Sequence, residues 1–133
     1  MPTEQIDPQE AHRRMTEEDA VYLDVRTVEE FEAGHPAGSY NVPVLFNQNG
    51  QMVPNPNFLQ EVEDLFASNQ KLVVGCRTGG RSQQACNILE PQGYGDIANV
   101  QGSWAGTPAV QGWAALGLPS DTGAPEGRAY KGG

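Results

Sequence analysis

One run of this chain carries the residue types that nucleophilic chemistry needs: Lys71-Leu72-Val73-Val74-Gly75-Cys76-Arg77-Thr78-Gly79-Gly80-Arg81-Ser82. A cysteine stands at the end of an apolar stretch, and a glycine-rich turn with two arginines follows it. A strand–loop–helix junction of this kind turns backbone N–H groups into a bowl at the helix N-terminus, and such a bowl suits an anion. A thiol placed there, beside fixed positive charge, loses its proton more readily, and the thiolate is the form that attacks. The placement of charge agrees. The 133 residues carry 17 acids against 8 Lys and Arg, a net charge of −9. Between Leu65 and Leu89, however, there is no acid, and Lys71, Arg77 and Arg81 all fall there. A negative chain thus reserves an electropositive patch for Cys76. A core thiol is the common alternative for a lone cysteine; the arginines, the glycines and the helix start weigh against it.

Elements on either side must hold this loop. Leu72 to Val74 reads as the central, most apolar strand, and Gln83 to Glu90 as a helix ended by Pro91-Gln92-Gly93. Upstream, Asp7, Pro8 and Glu10 form a helix start with Ile6 stapling onto Ala11, and the helix should reach about Met15. Ala20 to Arg26 reads as a strand. Thr27 to Glu30 is a second capping box, opening a short helix that stops at Gly34. His35 to Ser39 reads as a loop and Tyr40 to Val44 as a short strand. The long connection from Phe46 to Asn57 has room for a small β-excursion turning at Asn49-Gly50. Asn57 with Gln60 should cap a helix whose apolar face is Phe58, Leu59, Val62, Leu65 and Phe66. Ile97 to Val100 is the last clear strand. Thr107-Pro108 should open a final helix with Val110, Trp113 and Ala114 inward and Gly117 at its end. From Pro119 the chain is rich in Gly and Pro and is expected to wrap loosely or fray.

Strands and helices alternate, which implies an α/β fold of three layers, α/β/α, around a mostly parallel central sheet. Ligands of such sheets sit beyond the carboxyl ends of the strands. Cys76 stands at that end of the central strand, so pattern and chemistry select the same place.

Length points to a single domain over 1–133, with a core of about 6–119 and a loosely ordered tail over 120–133. The acidic balance argues against nucleic acid and against anionic membrane surfaces as partners. No apolar stretch approaches the roughly 20 residues of a membrane span, and the first residues do not read as a leader, so the cytoplasm is the expected compartment. Cys86 shares the inner face of its helix and reads as a structural thiol, away from Cys76. No Cys-x-x-Cys or His cluster suggests a metal.

The loop Cys76-Arg77-Thr78-Gly79-Gly80-Arg81-Ser82 resembles the active-site loop of single-domain rhodaneses, the thiosulfate sulfurtransferases. Other segments resemble that family in the same order: Leu23-Asp24-Val25-Arg26 its Asp-x-Arg segment, Phe31 to Pro43 its Gly-His-x-Pro-Gly signature, Gly102-Ser103-Trp104 its glycine pair, and Gly112 to Pro119 its Trp-x-x-x-Gly-x-Pro ending. The likeness spans about Ile6 to Pro119. Departures are Pro36-Ala37 in place of an aliphatic residue and Pro, Ser39 for the usual Ala, a glycine pair reduced to Gln101-Gly102, and a small insertion at Thr107-Pro108.

The resemblance implies a rhodanese-like fold and a two-step sulfur transfer through a Cys76 persulfide. The donor is thiosulfate or a similar small molecule; the acceptor is a thiol or cyanide, and a protein acceptor is open too. No cofactor is implied. By analogy Arg77 contacts the anionic donor and Arg81 holds the loop or the anion. Thr78, Gly79, Gly80 and Ser82 line the cup, with Gly79 and Gly80 allowing its curl, and Asp24 and Arg26 support it. His35 is not assigned as a base. Two other readings compete. Phosphatases of the Cys-x5-Arg type, and arsenate reductases on the same fold, place Arg six positions after the cysteine; here the sixth position is Ser82 and the fifth Arg81. The third reading is a non-catalytic rhodanese-like module that binds or regulates a partner.

Overall fold

The computed structural model describes residues 3–130. The chain opens with strand β1 (Glu4–Ile6) and helix α1 (Pro8–Glu17), whose first turn is closed by Asp7 accepting the Glu10 N–H at 2.8 Å. The return arm of that box is not made, because the Glu10 carboxylate binds Arg13 and Arg14 instead. β2 (Val21–Asp24) leads into α2 (Val28–Ala33), where both arms of the Thr27–Glu30 box are formed. β3 (His35–Pro36) and β4 (Tyr40–Asn41) follow, then the hairpin of β5 (Leu45–Gln48) and β6 (Gln51–Pro54). Asn49 and Gly50 turn it with φ of 53° and 84°, the mirror-image turn that matches strand twist. α3 (Phe58–Leu65), β7 (Leu72–Gly75), α4 (Gly80–Leu89), a 3₁₀ turn over Glu90–Gln92, β8 (Ile97–Val100) and β9 (Ser120–Asp121) complete it.

The central sheet has five strands in the order β1-β8-β7-β2-β4, all parallel. β7 lies in the middle and is buried along its whole length, as a strand covered on both faces should be. Its side chains alternate. Leu72 and Val74 pack with Phe58 and Val62 of α3 and Ala85 and Leu89 of α4, whereas Val73 packs with Ala11 of α1, Tyr22 and Trp113 on the opposite face. Three layers result, and every strand of the sheet delivers its carboxyl end to the same edge.

Some local expectations give way to tertiary contacts. β1 pairs with β8, Ile6 opposite Val100, although its three residues carry no strand signature of their own. Asn57 makes no side-chain cap to α3. Asn55 supports that turn, accepting the Asn57 N–H at 3.0 Å and donating to the Pro43 carbonyl at 2.8 Å. Leu65 is 47% exposed, at the edge of the α3 face instead of within it.

The final helix at Thr107 does not form. Gly106, at φ 87°, bridges Gln111 in an antiparallel turn, and the Thr107 N–H bonds back to Val110 O at 2.8 Å. Gly112 lies so close to this turn that a Cβ would fall 2.4 Å from Gly106 N. Trp113 is still buried, but it donates its backbone N–H to Ser103 O, and Ala114 is exposed. The glycine-rich tail, expected to be loosely ordered, is tied down over 120–130. β9 pairs with β3, the Asn41 N–H reaches Arg128 O at 2.8 Å, and the Tyr130 hydroxyl donates to Glu61. Residues 131–133 of that expectation lie outside the described residues.

Candidate active site

Cys76 directly follows β7 at the carboxyl edge of the sheet. The register sets Asp24 beside Gly75, and the Val25 N–H bonds Gly75 O at 2.9 Å. Gly75 has to be glycine for a packing reason: a Cβ there would lie 1.8 Å from the Tyr22 hydroxyl oxygen. After Cys76 the chain curls over. Gly79 takes φ 121°, a conformation that favours glycine, and becomes the N-cap of α4. Gly80 has no positive φ and open space around its α-carbon, so the curl depends on Gly79 and not on both glycines.

The curl brings donors to the sulfur. The Gly79 N–H reaches Cys76 Sγ at 3.1 Å, and Ser82 Oγ lies 3.5 Å away. Cys76 is 2% exposed, on the floor of a cup whose rim is Arg77, Thr78 and Gly80, all exposed. Burial pushes the thiol pKa up. The Ser82 hydroxyl and the backbone N–H groups of Ser82, Gly79 and Thr78 outweigh it and bring the thiol below its ordinary value. Thus hydrogen bonds lead the stabilisation that the sequence reading ascribed as much to the arginines. Cys86, in the core of α4, is pushed up to about 12, first by burial and then by the charges of Glu90 and Cys76. It is a free thiol, as is Cys76.

A second segment clamps Cys76 from behind. Ser103 Oγ accepts the Cys76 N–H at 3.1 Å, the Trp104 N–H donates to Cys76 O at 3.1 Å, and the Ala105 N–H donates to Arg77 O at 2.8 Å. Ser103 is fully buried at φ 45°, and its hydroxyl donates to Val100 O at 2.6 Å. The sequence reading placed Ser103 within the segment Gly102-Ser103-Trp104 and gave it no role. A serine held at positive φ and pinned through its hydroxyl is not visible in a sequence pattern.

Arg81 turns sideways. Its guanidinium meets Glu30 of α2 at two points, 2.7 and 3.0 Å. Burial raises the Glu30 pKa, but the Arg81 guanidinium and the Thr27 donors overcome this and hold it down to about 2. Of the two roles offered for Arg81, this ion pair is the contact that holding the loop requires. Arg77 stays at the exposed rim. Asp24 and Arg26 form a buried ion pair at 2.7 Å at the end of β2; Arg26 also donates to Gly34 O at 2.6 Å and lies over the Trp104 ring at 5.2 Å. Gly34 ends α2 at φ 167°, ordinary extended backbone, and is small because Trp104 would lie 2.9 Å from a Cβ. His35 is buried against Phe31, rings stacked at 3.8 Å, with Nδ1 2.8 Å from Phe31 O. The sequence reading missed two residues near the cup: Glu30, which had been read only as a helix cap, and Asn99 of β8, which touches Ser82.

Comparison with known proteins gives a consistent picture. The family model described as rhodanese-like domain matches residues 7–107. Thiosulfate sulfurtransferase 16, chloroplastic, of Arabidopsis thaliana is 38% identical over 99 residues, covering 74% of this chain and 78% of that protein. Protein HIGH ARSENIC CONTENT 1, mitochondrial, also of Arabidopsis thaliana, is 36% identical over 100 residues; the match covers 75% of this chain but 56% of that protein, so this chain spans little more than half its length. Among solved structures, Rv0390 from M. tuberculosis superposes with a TM-score of 0.77 at 26% identity, over 92% of this chain and 100% of that one.

Proposed function

This chain belongs to the rhodanese-like domain family, and from that premise we propose that it is a thiosulfate sulfurtransferase working through a persulfide on Cys76. The Cys76 thiolate attacks the outer sulfur of thiosulfate. A new S–S bond forms, the S–S bond of thiosulfate breaks, and sulfite leaves with the electron pair. A thiolate or cyanide then attacks the outer sulfur of the persulfide, and the bond to Cys76 breaks with its electron pair returning to Cys76 as thiolate. Sulfur is carried between small molecules, or to a protein thiol, without a cofactor.

The observation that carries this reading is the Gly79 N–H aimed at Cys76 Sγ at 3.1 Å, at the start of α4, with Ser82 beside it. Both an ionised sulfur and an anionic donor gain from donors fixed before the reaction begins. In this reading Thr78, Gly79 and Ser82 stabilise the sulfur, Gly80 starts the helix, Arg77 meets the donor, and Arg81 with Glu30 holds the cup. Asp24 and Arg26 brace the strand end behind it. Intact-mass measurement after incubation with thiosulfate tests the step: the expected result is a gain of one sulfur atom that is lost on adding cyanide and absent in Cys76→Ser. No gain in the wild-type protein overturns it.

One observation favours a second reading. Cys76 is only 2% exposed, which suits a rhodanese-like module that binds a partner without turning over. Arsenate with a thiol reductant belongs among the test compounds as well, given the name of one relative. Turnover of arsenate or of a phosphotyrosine mimic, with none of thiosulfate, would replace the sulfurtransferase reading.

A further inference from the structure

Behind the cup, hydrogen-bonding side chains run in a line from the sulfur to the surface. Ser82 Oγ lies 3.5 Å from Cys76 Sγ and donates to Asn99 Oδ1. Asn99 Nδ2 donates to Gln5 Oε1 at 2.8 Å, Gln5 Nε2 donates to Gln83 Oε1, and Gln83 Nε2 donates to Asn87 Oδ1 at 3.0 Å. Beyond Ser82, whose hydroxyl is also within reach of Cys76 Sγ as a donor, every donor in this line points away from Cys76. Ser82 and Asn99 are buried, at 0% and 4% exposure, whereas Gln5 is exposed. Ser82 is therefore shut off from water, whereas Asn99 borders an open surface pocket that Gln5 and Gln83 also line.

The Ser82 hydroxyl has one proton and three acceptors within reach: Asn99 Oδ1, Gly79 O at 3.1 Å and Cys76 Sγ. When Cys76 is a thiol, its S–H can donate to Ser82 Oγ, the Ser82 proton goes to Asn99 Oδ1, and each link further out keeps one donor and one acceptor. A thiolate only accepts. It draws the Ser82 proton to itself and leaves Ser82 Oγ needing a donor. Asn99 can supply one, because a half-turn of a carboxamide exchanges its oxygen and nitrogen without changing its shape. Gln5 can then turn in the same way, with Gln83 or water at the outer end.

We propose that Asn99 is a positioning residue for Cys76, acting through Ser82 in a side-chain line that reverses its hydrogen-bond direction when the sulfur ionises. No proton passes through the carboxamides; they turn, and the thiol proton leaves to solvent. The cup then stabilises both the neutral and the charged sulfur, which a buried nucleophile needs as it moves between states. The other groups around the sulfur are Tyr22 of β2 and Arg81 and Cys86 of α4, with Glu30 behind Arg81 and the Asp24–Arg26 pair at the end of β2. None of these belongs to the line, so changing Asn99 leaves them in place.

The inference rests on Cys76 being the reactive thiol of the proposed transfer, but its test reads ionisation and does not depend on turnover. In full-length protein, the rate of Cys76 alkylation by iodoacetamide is followed against pH. Asn99→Leu keeps the branched outline, with a somewhat larger volume, and can neither accept nor donate; it should slow alkylation at neutral pH by about 10-fold and move the midpoint up by about one pH unit. Asn99→Asp, an acceptor only, should move it further. An Asn99→Leu protein with an unchanged melting temperature and an unchanged pH profile overturns the proposal. A measurement without a change at Asn99 covers the case of misfolding. The Asn99 side-chain amide resonances of wild-type protein should shift with the Cys76 midpoint and stay still in Ser82→Ala. Resonances that hold still in both, or that move equally in both, overturn it.

Discussion

Arg81 in the first turn of α4 and Glu30 in the first turn of α2 meet as a two-point ion pair, Nη1 to Oε1 at 2.7 Å and Nη2 to Oε2 at 3.0 Å. The same Glu30 closes the cap of α2 on the Thr27 N–H. One carboxylate therefore ties the end of the Cys76 loop to the helix that follows β2. A planar fork matched to a carboxylate has more geometric demand than a point charge, so the pair fixes direction as well as distance. It also neutralises the charge that an anionic donor would otherwise meet at Arg81.

The pair predicts a pattern. Arg81→Ala and Glu30→Gln should each cost about 1–3 kcal/mol of stability, the range for breaking a partly buried charge-assisted contact, with the double variant costing little more than either. Urea unfolding of the three proteins measures it. A Glu30→Gln protein that binds thiosulfate more tightly, with stability unchanged, would show that Arg81 is held back from the donor instead of holding the loop. Acid adds a signature. The Glu30 carboxyl is depressed to about 2 in the folded protein, so its contribution is complete above the unfolded value near 4.3 and is lost as pH falls from there toward 2.

Arg77 should behave differently. It stands exposed at the rim, so Arg77→Ala should change stability by no more than about 0.5 kcal/mol. In the proposed role it contacts the donor, and its loss should raise KM for thiosulfate by roughly 5- to 100-fold, with a smaller effect on kcat. Steady-state kinetics with cyanide as acceptor separates the two. An unchanged KM would remove Arg77 from donor binding.

The two thiols should titrate apart. For Cys76 the folded-state pKa is depressed, so thiolate is present below the usual thiol pKa of about 8.5 and alkylation falls off only as pH drops through the lower folded value. Cys86, pushed up to about 12 and buried, should stay unmodified in the native protein. Peptide mapping after brief alkylation at neutral pH should find label on Cys76 alone. Equal labelling would mean that the cup does not favour the anion.

Much of the site was legible before any coordinates. The apolar run into Cys76, the glycine curl and the helix after it are local signals, written in consecutive residues. The capping boxes at Asp7 and Thr27 were likewise local, though Glu10 spends its carboxylate on Arg13 and Arg14. What was not legible is long-range. β1 is a strand because β8 offers it an edge, and the segment at Thr107 is a turn because Gly106 and Gly112 must touch. Ser103 and Asn99 reach the cysteine loop from 27 and 17 residues away along the chain. A periodicity cannot report contacts of that kind, and Glu30 could be found as a cap while its partner Arg81 stayed hidden.

The tightest packing at the site lies one residue before Cys76, and it yields a last prediction. Gly75→Ala would place a methyl 1.8 Å from Tyr22 Oη and 2.5 Å from its Cζ. Tyr22 cannot move aside freely: it is 1% exposed and packs edge-on against Trp113 with centroids 5.5 Å apart. Overpacking of this sort costs about 1–3 kcal/mol or more, and relief would have to come from β7 shifting with Cys76 attached. Gly75→Ala should therefore lose both stability and reactivity. Tyr22→Phe in that background should restore only part of the stability, because removing the hydroxyl leaves the ring carbon still inside contact distance. Thermal unfolding and the alkylation rate, read on wild type, Gly75→Ala and the double variant, check this. A Gly75→Ala protein as stable and reactive as wild type would mean that the strand end and the ring accommodate the methyl together, and that the position of Cys76 does not depend on their contact.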